Sequence, residues 1–449
     1  MIRSWRNRIT PINQIPPEIL ALIPDFWDVD KRDEDVIALT HVCRGWRELF
    51  VSCPSLWANL DCVDEDKTRV YVERSKSSPI SLSLHSDYVA LRDLFEFIPG
   101  ITGRLRSLDI NLDPEDLQLV SVHLSRRAPL LEVLSIRSCG DPVLSSVLFD
   151  GDLSSLRELH LREIRTKLPW RNMVNLTSFT LTHESPISVN RFLDFFESAP
   201  RLREIGIIST IPISGARMSR NERLVPLACL QKMDTSGYPS HLFDHLLIPV
   251  GARLDIRVDL PSPRIGDRPP RFIDNLKNLS SFTTIQSDSR ELRIRFSGPN
   301  GEVGMNIQGI GTRLLVEFLA HFDTSKTERL EIIGCHGSSV GNPVYQTLLP
   351  MKDLRTLKFD QCNEPQTFLR ALHPGMSLSG AVVCPELEEL VIMHGWAFNI
   401  KNVVAVAAAR ASRGAKLKFV KIVHRHTTIY SQPDVLELKE HVLHVECDC

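Results

Sequence analysis

Hydrophobic residues recur along most of this chain as a triplet of the form L-x-x-L-x-L. One copy is formed by Leu105, Leu108 and Ile110, and the polar residue between the last two gives the alternation of a half-buried strand. The middle position of each copy falls at Leu82, Leu108, Leu134, Leu159, Phe179, Ile205, Met233, Ile256, Phe282, Leu330, Leu357, Leu390, Val420 and Val445. Most intervals are about 20 to 33 residues, and the one after Phe282 is close to double. A single unit of this kind cannot bury its apolar side, so the pattern predicts a stack of units.

Strand-containing repeats of this length are typical of leucine-rich repeats. We therefore predict an α/β fold over residues 80–449, an irregular leucine-rich-repeat-like solenoid. Its sheet is expected to be largely parallel and on the concave side, with helices and loops outside. Cys139, Cys335 and Cys362 each lie five residues after a middle position. A thiol is small and apolar enough to be buried where the chain leaves a strand, which predicts a structural role for these three cysteines.

The segments between triplets mostly show helical spacing. Ser188 is a suitable cap for a helix over 189–198, and an alanine-rich helix is predicted over 402–413, before Gly414. One segment differs, because apolar residues alternate on both sides of the turn Gly298–Gly301. This alternation predicts a β-hairpin near residues 291–308, which explains the doubled interval.

The first sixty residues follow a helical period instead. Proline suits the first turn of a helix, and Pro16 and Pro17 precede an apolar face. A charged loop is predicted from Asp28 to Asp35, followed by one helix with a broad apolar stripe and then by Pro54–Trp57. The stripe comprises Val36, Leu39, Val42, Cys43, Trp46, Leu49 and Phe50. So short a unit builds little core, so either the rest of the chain or a partner protein is expected to cover part of this apolar surface.

Three runs in this region occur in a characteristic order: "IPPEIL", "VIALTHVCRGWRELF" and "CPSLW". Together they resemble an F-box, and the resemblance is close to F-box proteins of the fungal type. Two features depart from the common pattern: Ile15 stands where Leu is usual, and the Asp28–Asp35 loop is longer and more charged. The resemblance implies a short three-helix module that binds a Skp-type adaptor and, through it, a cullin-RING ubiquitin ligase. F-box proteins commonly carry a leucine-rich-repeat substrate receptor after this module.

The resemblance also assigns residues and boundaries. The expected domains are an F-box over 12–60, a helical linker over 61–79 and the repeat domain over 80–449. Of the residues assigned to adaptor binding, Trp46 is the one expected to belong to the internal core. These residues are Pro16, Pro17, Ile19, Leu20, Ile23, Leu39, Val42, Cys43, Trp46 and Leu49.

Composition and charge narrow the function classes. The 449 residues carry a formal net charge of −2, so no global basic field favours nucleic acid or an anionic membrane as a partner. No apolar run reaches the length of about 18 residues that spans a bilayer, and the first ten residues lack the apolar core of a secretory signal. We therefore expect an intracellular protein, cytoplasmic or nuclear, whose ten cysteines are reduced thiols.

Two motifs could indicate catalysis or metal binding, but their sequence context argues against both. Residues 337–341 match G-x-S-x-G, which would make Ser339 a hydrolase nucleophile, but Asn342 and Pro343 follow where that motif needs a helix. His441, His444, Cys447 and Cys449 lack the paired knuckles of structural zinc sites. We therefore predict no catalytic residues, no cofactor and no metal.

Binding remains as the function. Side chains between the buried positions of a repeat strand point to the opposite face of the sheet, where a protein client of unknown identity would bind. The candidates are Asp109, Arg137, Glu158, His160, Arg162, Lys358 and Asp360. The expected function is the substrate-recognition subunit of a Skp–cullin–F-box ubiquitin ligase, which is not itself an enzyme. The alternative is a non-catalytic protein-binding scaffold with no role in ubiquitination.

Overall fold

The fold is taken from a computed structural model. It describes residues 10–26, 32–61, 64–86, 97–140, 142–144, 147–165, 172–183, 189–209, 223–237, 240–243, 245–249, 251–258, 284–288, 293–298, 301–307, 319, 322–334, 342–362, 365–376, 382–394, 399–423 and 432–448. The chain divides into two compact units, Met1–Ser185 and Pro186–Cys449.

The first unit contains a parallel ladder of strands preceded and interrupted by helices. Its strands are β1 Asn59–Leu60, β2 Ile80–His85, β3 Leu105–Asn111, β4 Val133–Arg137, β5 Glu158–Arg162 and β6 Ser178–His183. Its helices are α1 Pro17–Leu22, α2 Arg32–Thr40, α3 Arg44–Val51, α4 Glu65–Ser75, α5 Ile98–Ile101 and α6 Pro114–His123. Each strand from β1 to β6 pairs in parallel with the next along the chain.

The register of this ladder follows the predicted middle positions. Leu82 pairs with Leu108, and the same row continues through Leu134 and Leu159 to Phe179. All five side chains are buried. Because a slip of one residue would turn every buried side chain to the other face, this apolar row fixes the pairing of the strands.

The second unit is a mixed ladder. Its strands are β7 Glu204–Ser209, β8 Val225–Pro226, β9 Lys232–Gly237, β10 Leu246–Leu247, β11 Arg253–Val258, β12 Thr284–Asp288, β13 Arg293–Gly298, β14 Gly301–Ile307, β15 Arg329–Ile333, β16 Thr356–Asp360, β17 Glu389–Met393, β18 Phe419–Val423 and β19 His444–Asp448. Its helices are α7 Val189–Ser198, α8 Ser240–Phe243, α9 Asn342–Leu348, α10 Gln366–Leu372, α11 Ile400–Ala411 and α12 Gln432–His441. Parallel pairing links β7, β9 and β11, and again β15 to β19, while β8 and β10 form a separate short ladder.

An antiparallel segment is inserted in the middle of this ladder. Strand β13 pairs antiparallel with β14 and with β12, which makes the hairpin around Gly298–Gly301 part of a three-stranded meander. The outer strands of the meander pair in parallel with their neighbours, β14 with β11 and β12 with β15. The extra strands therefore occupy the doubled interval without breaking the ladder.

Two predicted middle positions differ from the observed register. Met233 pairs with Leu254, not with Ile256, and Leu330 pairs with Ile285, whereas Phe282 lies outside the described residues. A shift of two residues keeps the same side chains on the same face, so periodicity alone does not distinguish Leu254 from Ile256. From Leu330 onward the predicted row is confirmed. It continues through the predicted middle positions Leu357, Leu390, Val420 and Val445 on β16 to β19.

The predicted second helix of the N-terminal region is wrong in its extent. The structure has two helices, α2 and α3, separated at residues 41–43, and α2 begins at Arg32 inside the predicted charged loop. Cys43 has an extended backbone before α3, with φ of −158°. The Nε–H of Arg47 donates to the carbonyl of Thr40 at 2.9 Å, so the open end of α2 is satisfied by a side chain instead of by a continuing helix.

The three cysteines predicted at strand exits differ in burial. Cys362 is 1% exposed, and its thiol donates to the carbonyl of Ile332 at 3.3 Å, which confirms the predicted structural role there. Cys139 is exposed, so the prediction is wrong at that position. Cys335 lies outside the described residues.

Several strands end in the same left-handed corner. Gly334, Gln361 and His394 directly follow β15, β16 and β17 and have φ of 66°, 53° and 52°. The backbone N–H of each donates to the carbonyl of the last residue of the next strand, at 2.7 to 2.8 Å. Glu163 makes the same corner after β5, where its N–H donates to Thr182. This shared hydrogen bond fixes where each repeat leaves the sheet, and so which side chains end each row.

Candidate functional site

An apolar patch remains exposed on the helices of the N-terminal region. Ile19 of α1 is 52% exposed, and Val42, in the break between α2 and α3, is 59% exposed. Ile12, Leu22 and Ile37 are also exposed. We call these five residues the apolar patch. Leu22 and Ile37 were not predicted as contact residues, although both lie on helices whose apolar spacing was recognised.

The ten residues predicted to contact an adaptor fall into three groups. Pro16 and Pro17 are exposed with Ile19 and Val42, whereas Ile23, Cys43 and Leu49 are half-buried. The buried members are Leu20, Leu39 and Trp46, at 5%, 9% and 8% exposure. The structure therefore places these three in the packing of the helices and leaves the other seven accessible.

Aromatic residues fill the packing between the N-terminal helices and α4. The indole Nε1–H of Trp57 donates to the carbonyl of Phe50 at 2.9 Å, and its ring meets Tyr71 edge to face with centroids 5.0 Å apart. The guanidinium of Arg74 lies 4.4 Å from the centre of the same indole ring. These contacts join α3 to α4 through Trp57.

The outward face of the sheet in the first unit carries polar side chains in register. Asp109, Ser135 and His160 form one row, flanked by Ser83 and Thr180. A second row, which we call the arginine row, lies at the carboxyl ends of the strands. It consists of His85, Asn111, Arg137, Arg162 and Thr182.

Charge is distributed unevenly on this face. Arg137 and Arg162 are both exposed and are direct register partners on neighbouring strands. The Nε of Arg162 lies 3.3 Å from Oε1 of Glu163, whereas Arg137 makes no ion pair within the described part of the chain. Glu158 lies in a different row, where its carboxylate is 3.7 Å from the ring of His160. The five predicted client residues of the first unit therefore lie on one face.

The two predicted client residues of the second unit are less available. Lys358 is ion-paired with Glu331, its register partner on the neighbouring strand, and the two side chains are 21% and 11% exposed. Asp360 is half-buried, and its Oδ1 is enclosed with no hydrogen-bond partner among the described residues. A second ion pair, Lys421 with Glu446 at 2.9 Å, also joins register partners and lowers the pKa of Glu446, chiefly through the hydrogen bond from Lys421. Lys358 and Lys421 are therefore already matched by carboxylates.

The G-x-S-x-G motif and one residue of the possible zinc site lie outside the described part of the chain. Residues 335–341, which include Ser339, lie outside the described residues, as does Cys449. Among the residues that are described, no three His, Cys, Asp or Glu side chains converge as metal ligands do. In the same residues no helix is both long enough and apolar enough to cross a bilayer.

The fold and its site define a mixed α/β protein with a large parallel sheet built from leucine-rich-repeat-like units. No protein-family model matches the chain, and no curated protein matches it in sequence. Among solved structures, one similar chain belongs to the TLR13–ssRNA13 complex, with 11% sequence identity and a TM-score of 0.32. The similarity covers 82% of this chain and 61% of that one, and at this TM-score it carries no argument about function.

Proposed function

We propose that this chain is the substrate-recognition subunit of a Skp–cullin–F-box ubiquitin ligase. The helices α1–α3 would bind a Skp-type adaptor and, through it, the cullin, while the outward sheet face would bind a protein client. The observation that carries the proposal is the apolar patch, because Ile19 and Val42 stay more than half exposed in the folded chain. Clustered exposed apolar side chains mark surfaces that bind another molecule. The resemblance of the same segment to an F-box supplies the identity of that partner.

The proposed mechanism is proximity, without chemistry by this chain. One element binds the adaptor and the other holds the client, so the client's lysines are kept near the ubiquitin-carrying enzyme of the complex. Tethering raises the effective concentration of the client and replaces an encounter in solution by one within the assembly.

Burial divides the roles of the predicted adaptor residues. The exposed ones, Pro16, Pro17, Ile19 and Val42, are the proposed direct contacts, together with accessible parts of Ile23, Cys43 and Leu49. The buried ones set the angle between the helices. Leu20 is therefore a poor choice for testing contact, since a polar residue there would disturb the packing itself.

The test is to exchange exposed apolar residues for serine. We expect Ile19→Ser with Val42→Ser to abolish co-purification with a Skp-type adaptor, because both side chains lie at the surface and the fold does not need them. The matched control is Leu119→Ser with Val122→Ser, which removes two exposed apolar side chains from α6. Circular dichroism should match the wild type for both pairs.

Two results would contradict the proposal. One is retention of the adaptor by the Ile19/Val42 pair, and the other is its loss in the Leu119/Val122 control. Detection of the cullin in the same purified complex then separates a ligase subunit from a scaffold that uses the adaptor elsewhere.

A further inference from the structure

We infer that the arginine row binds an oxyanion, a carboxylate or a phosphate, on an acidic segment of a protein client. This inference rests on the proposed function, since it names the chemistry by which the client would be recognised. It starts from the pairing of Arg137 with Arg162. Adjacent strands of a sheet are about 4.8 Å apart, so two cationic side chains begin from neighbouring positions. Like charges directly opposite one another across strands are destabilising.

In the second unit two lysines are satisfied by carboxylates on neighbouring strands within the sheet. There Lys358 faces Glu331 and Lys421 faces Glu446, each cation with a carboxylate as its register partner. The arginine row has no carboxylate at any of its five positions. Among the described residues Arg137 is thus left for an anion from outside, whereas Arg162 also meets Glu163 through its Nε.

The neighbours of the two arginines suit an anion as well. Asn111 precedes Arg137 in the row and Thr182 follows Arg162, and both side chains can donate hydrogen bonds. Guanidinium groups bind carboxylate or phosphate through two parallel hydrogen bonds, which makes paired arginines suited to acidic or phosphorylated peptides. Glu163 engages only Arg162, through Nε at 3.3 Å, and leaves Arg137 unpaired among the described residues.

A peptide fits better than a nucleic acid. A chain that binds nucleic acid usually carries an extended basic surface, and here the net charge is −2 and the row holds two arginines. Asp109 lies in the next row of the same face and Glu158 in the row beyond it, and both would repel a long polyanion. A short acidic segment can reach the arginine row without lying over them.

The test measures fluorescence anisotropy of labelled probes with the full chain, at low and at high salt. The probes are a polyglutamate peptide and a Gly/Ser peptide with one phosphoserine, so that their relative affinity distinguishes carboxylate from phosphate. A single-stranded oligonucleotide is the third probe. We expect Arg137→Gln with Arg162→Gln to lower the affinity for the tighter-binding peptide by about tenfold or more. The control, Lys232→Gln with Lys421→Gln, removes the same charge from strands of the second unit and should leave affinity unchanged.

A conservative pair keeps the inference testable if the glutamine pair fails to fold. Arg137→Lys with Arg162→Lys preserves the charge but not the paired hydrogen bonds, and should bind more weakly than wild type. The inference is overturned if both the glutamine and the lysine replacements of Arg137 and Arg162 bind the peptide as wild type does. It is also overturned if the Lys232→Gln, Lys421→Gln control loses as much affinity, or if the oligonucleotide binds more tightly than either peptide. Adaptor co-purification is measured on the same samples. Its loss with intact peptide binding would overturn the proposed function alone, and the reverse result would overturn only this inference.

Discussion

The indole Nε1–H of Trp46 donates a hydrogen bond to Oδ1 of Asn13, at 2.6 Å and across 33 residues of sequence. The same indole ring lies edge to face with Phe50, with centroids 5.6 Å apart. Trp46 therefore ties the segment before α1 to α3. Ile12 of the apolar patch directly precedes Asn13 in sequence, so this link helps to fix its position.

Changing Trp46 should loosen the N-terminal helices in proportion to what is removed. Trp46→Phe keeps most of the buried ring but loses the hydrogen bond, for a cost of about 1 kcal/mol. Trp46→Ala also leaves a cavity and should cost about 3 to 5 kcal/mol. Hydrogen exchange of the amides of α1 and α3 measures both, with the amides of β16–β18 as an internal reference. Equal protection of α1 in wild type and Trp46→Ala would contradict the role assigned to this residue.

Arg410 stabilises the second unit from inside. Its side chain is fully buried, and its two terminal nitrogens donate to the carbonyls of Val383 and Cys384 at 2.7 and 2.8 Å. Burial lowers the pKa of the guanidinium, and no described carboxylate pairs with it. Cys384 has φ of 48°, so the arginine holds a strained turn against α11.

Arg410→Met should therefore destabilise the protein more than a substitution at an exposed position of the same helix. It leaves the buried carbonyl of Val383 without the donor described for it, and the carbonyl of Cys384 keeps only the N–H of Leu387. We expect a loss of about 2 to 4 kcal/mol in the free energy of unfolding. Arg410→Lys retains one donor group and should lose less. Thermal unfolding followed by circular dichroism provides the measurement, and Lys401→Ala, an exposed change on the same helix, should have little effect. A melting temperature for Arg410→Met equal to that of the Lys401 variant would be the opposing result.

The position of Arg410 shows what sequence periodicity reveals and what it conceals. Val403, Val406 and Ala407 share a helical stripe, and Arg410 continues it at the next turn. The stripe predicts the buried face of α11, but not that a charged residue is accommodated by carbonyls of a distant turn. Such partners are set by tertiary structure, which local spacing does not encode.

The same distinction holds for the ladder and for the site. Rows such as Leu108–Leu134–Leu159 follow from leucine spacing because every repeat buries the same position. The break at residues 41–43 was missed, since an apolar stripe continues across it in sequence. The pairing of Lys358 with Glu331 was missed too, because two residues 27 positions apart become neighbours only through the register of the sheet.

Thiol reactivity should separate the cysteines by burial. Cys139 and Cys229 are exposed, whereas Cys362 and Cys384 are buried, and burial raises the pKa of the Cys384 thiol to about 12. Iodoacetamide at pH 8, followed by peptide mass spectrometry, should label the first two in the native protein. The buried two should react only after denaturation, because the reagent cannot reach them and because burial raises the pKa of the Cys384 thiol. Native labelling of Cys384 at the rate of Cys229 would contradict the structure.

The raised pKa of Cys384 also predicts a dependence of stability on pH. The unfolded thiol titrates near pH 8.5 and the folded one near 12, so above the lower value the unfolded state binds fewer protons than the native state. Its contribution to stability is complete below about pH 8.5 and declines as the pH rises toward 12. The difference between wild type and Cys384→Ala in denaturant unfolding should shrink over this window. A difference that stays constant from pH 8 to pH 10 would mean that this thiol is not held in its neutral form.

The contributions of Lys358 and Glu331 to stability should be strongly coupled. Glu331 is nearly buried, so Lys358→Met leaves a carboxylate without its cation and should cost about 3 kcal/mol or more. Replacing both residues, Lys358→Met with Glu331→Leu, removes the desolvated charges together and should restore stability to near the wild-type value. A double-mutant cycle from denaturant unfolding gives the coupling energy, with the Lys326–Asp353 pair, both of whose side chains are largely exposed, as the reference. If the Lys358–Glu331 coupling were no larger than that of the exposed pair, Lys358 would be free of Glu331 and available to a client after all.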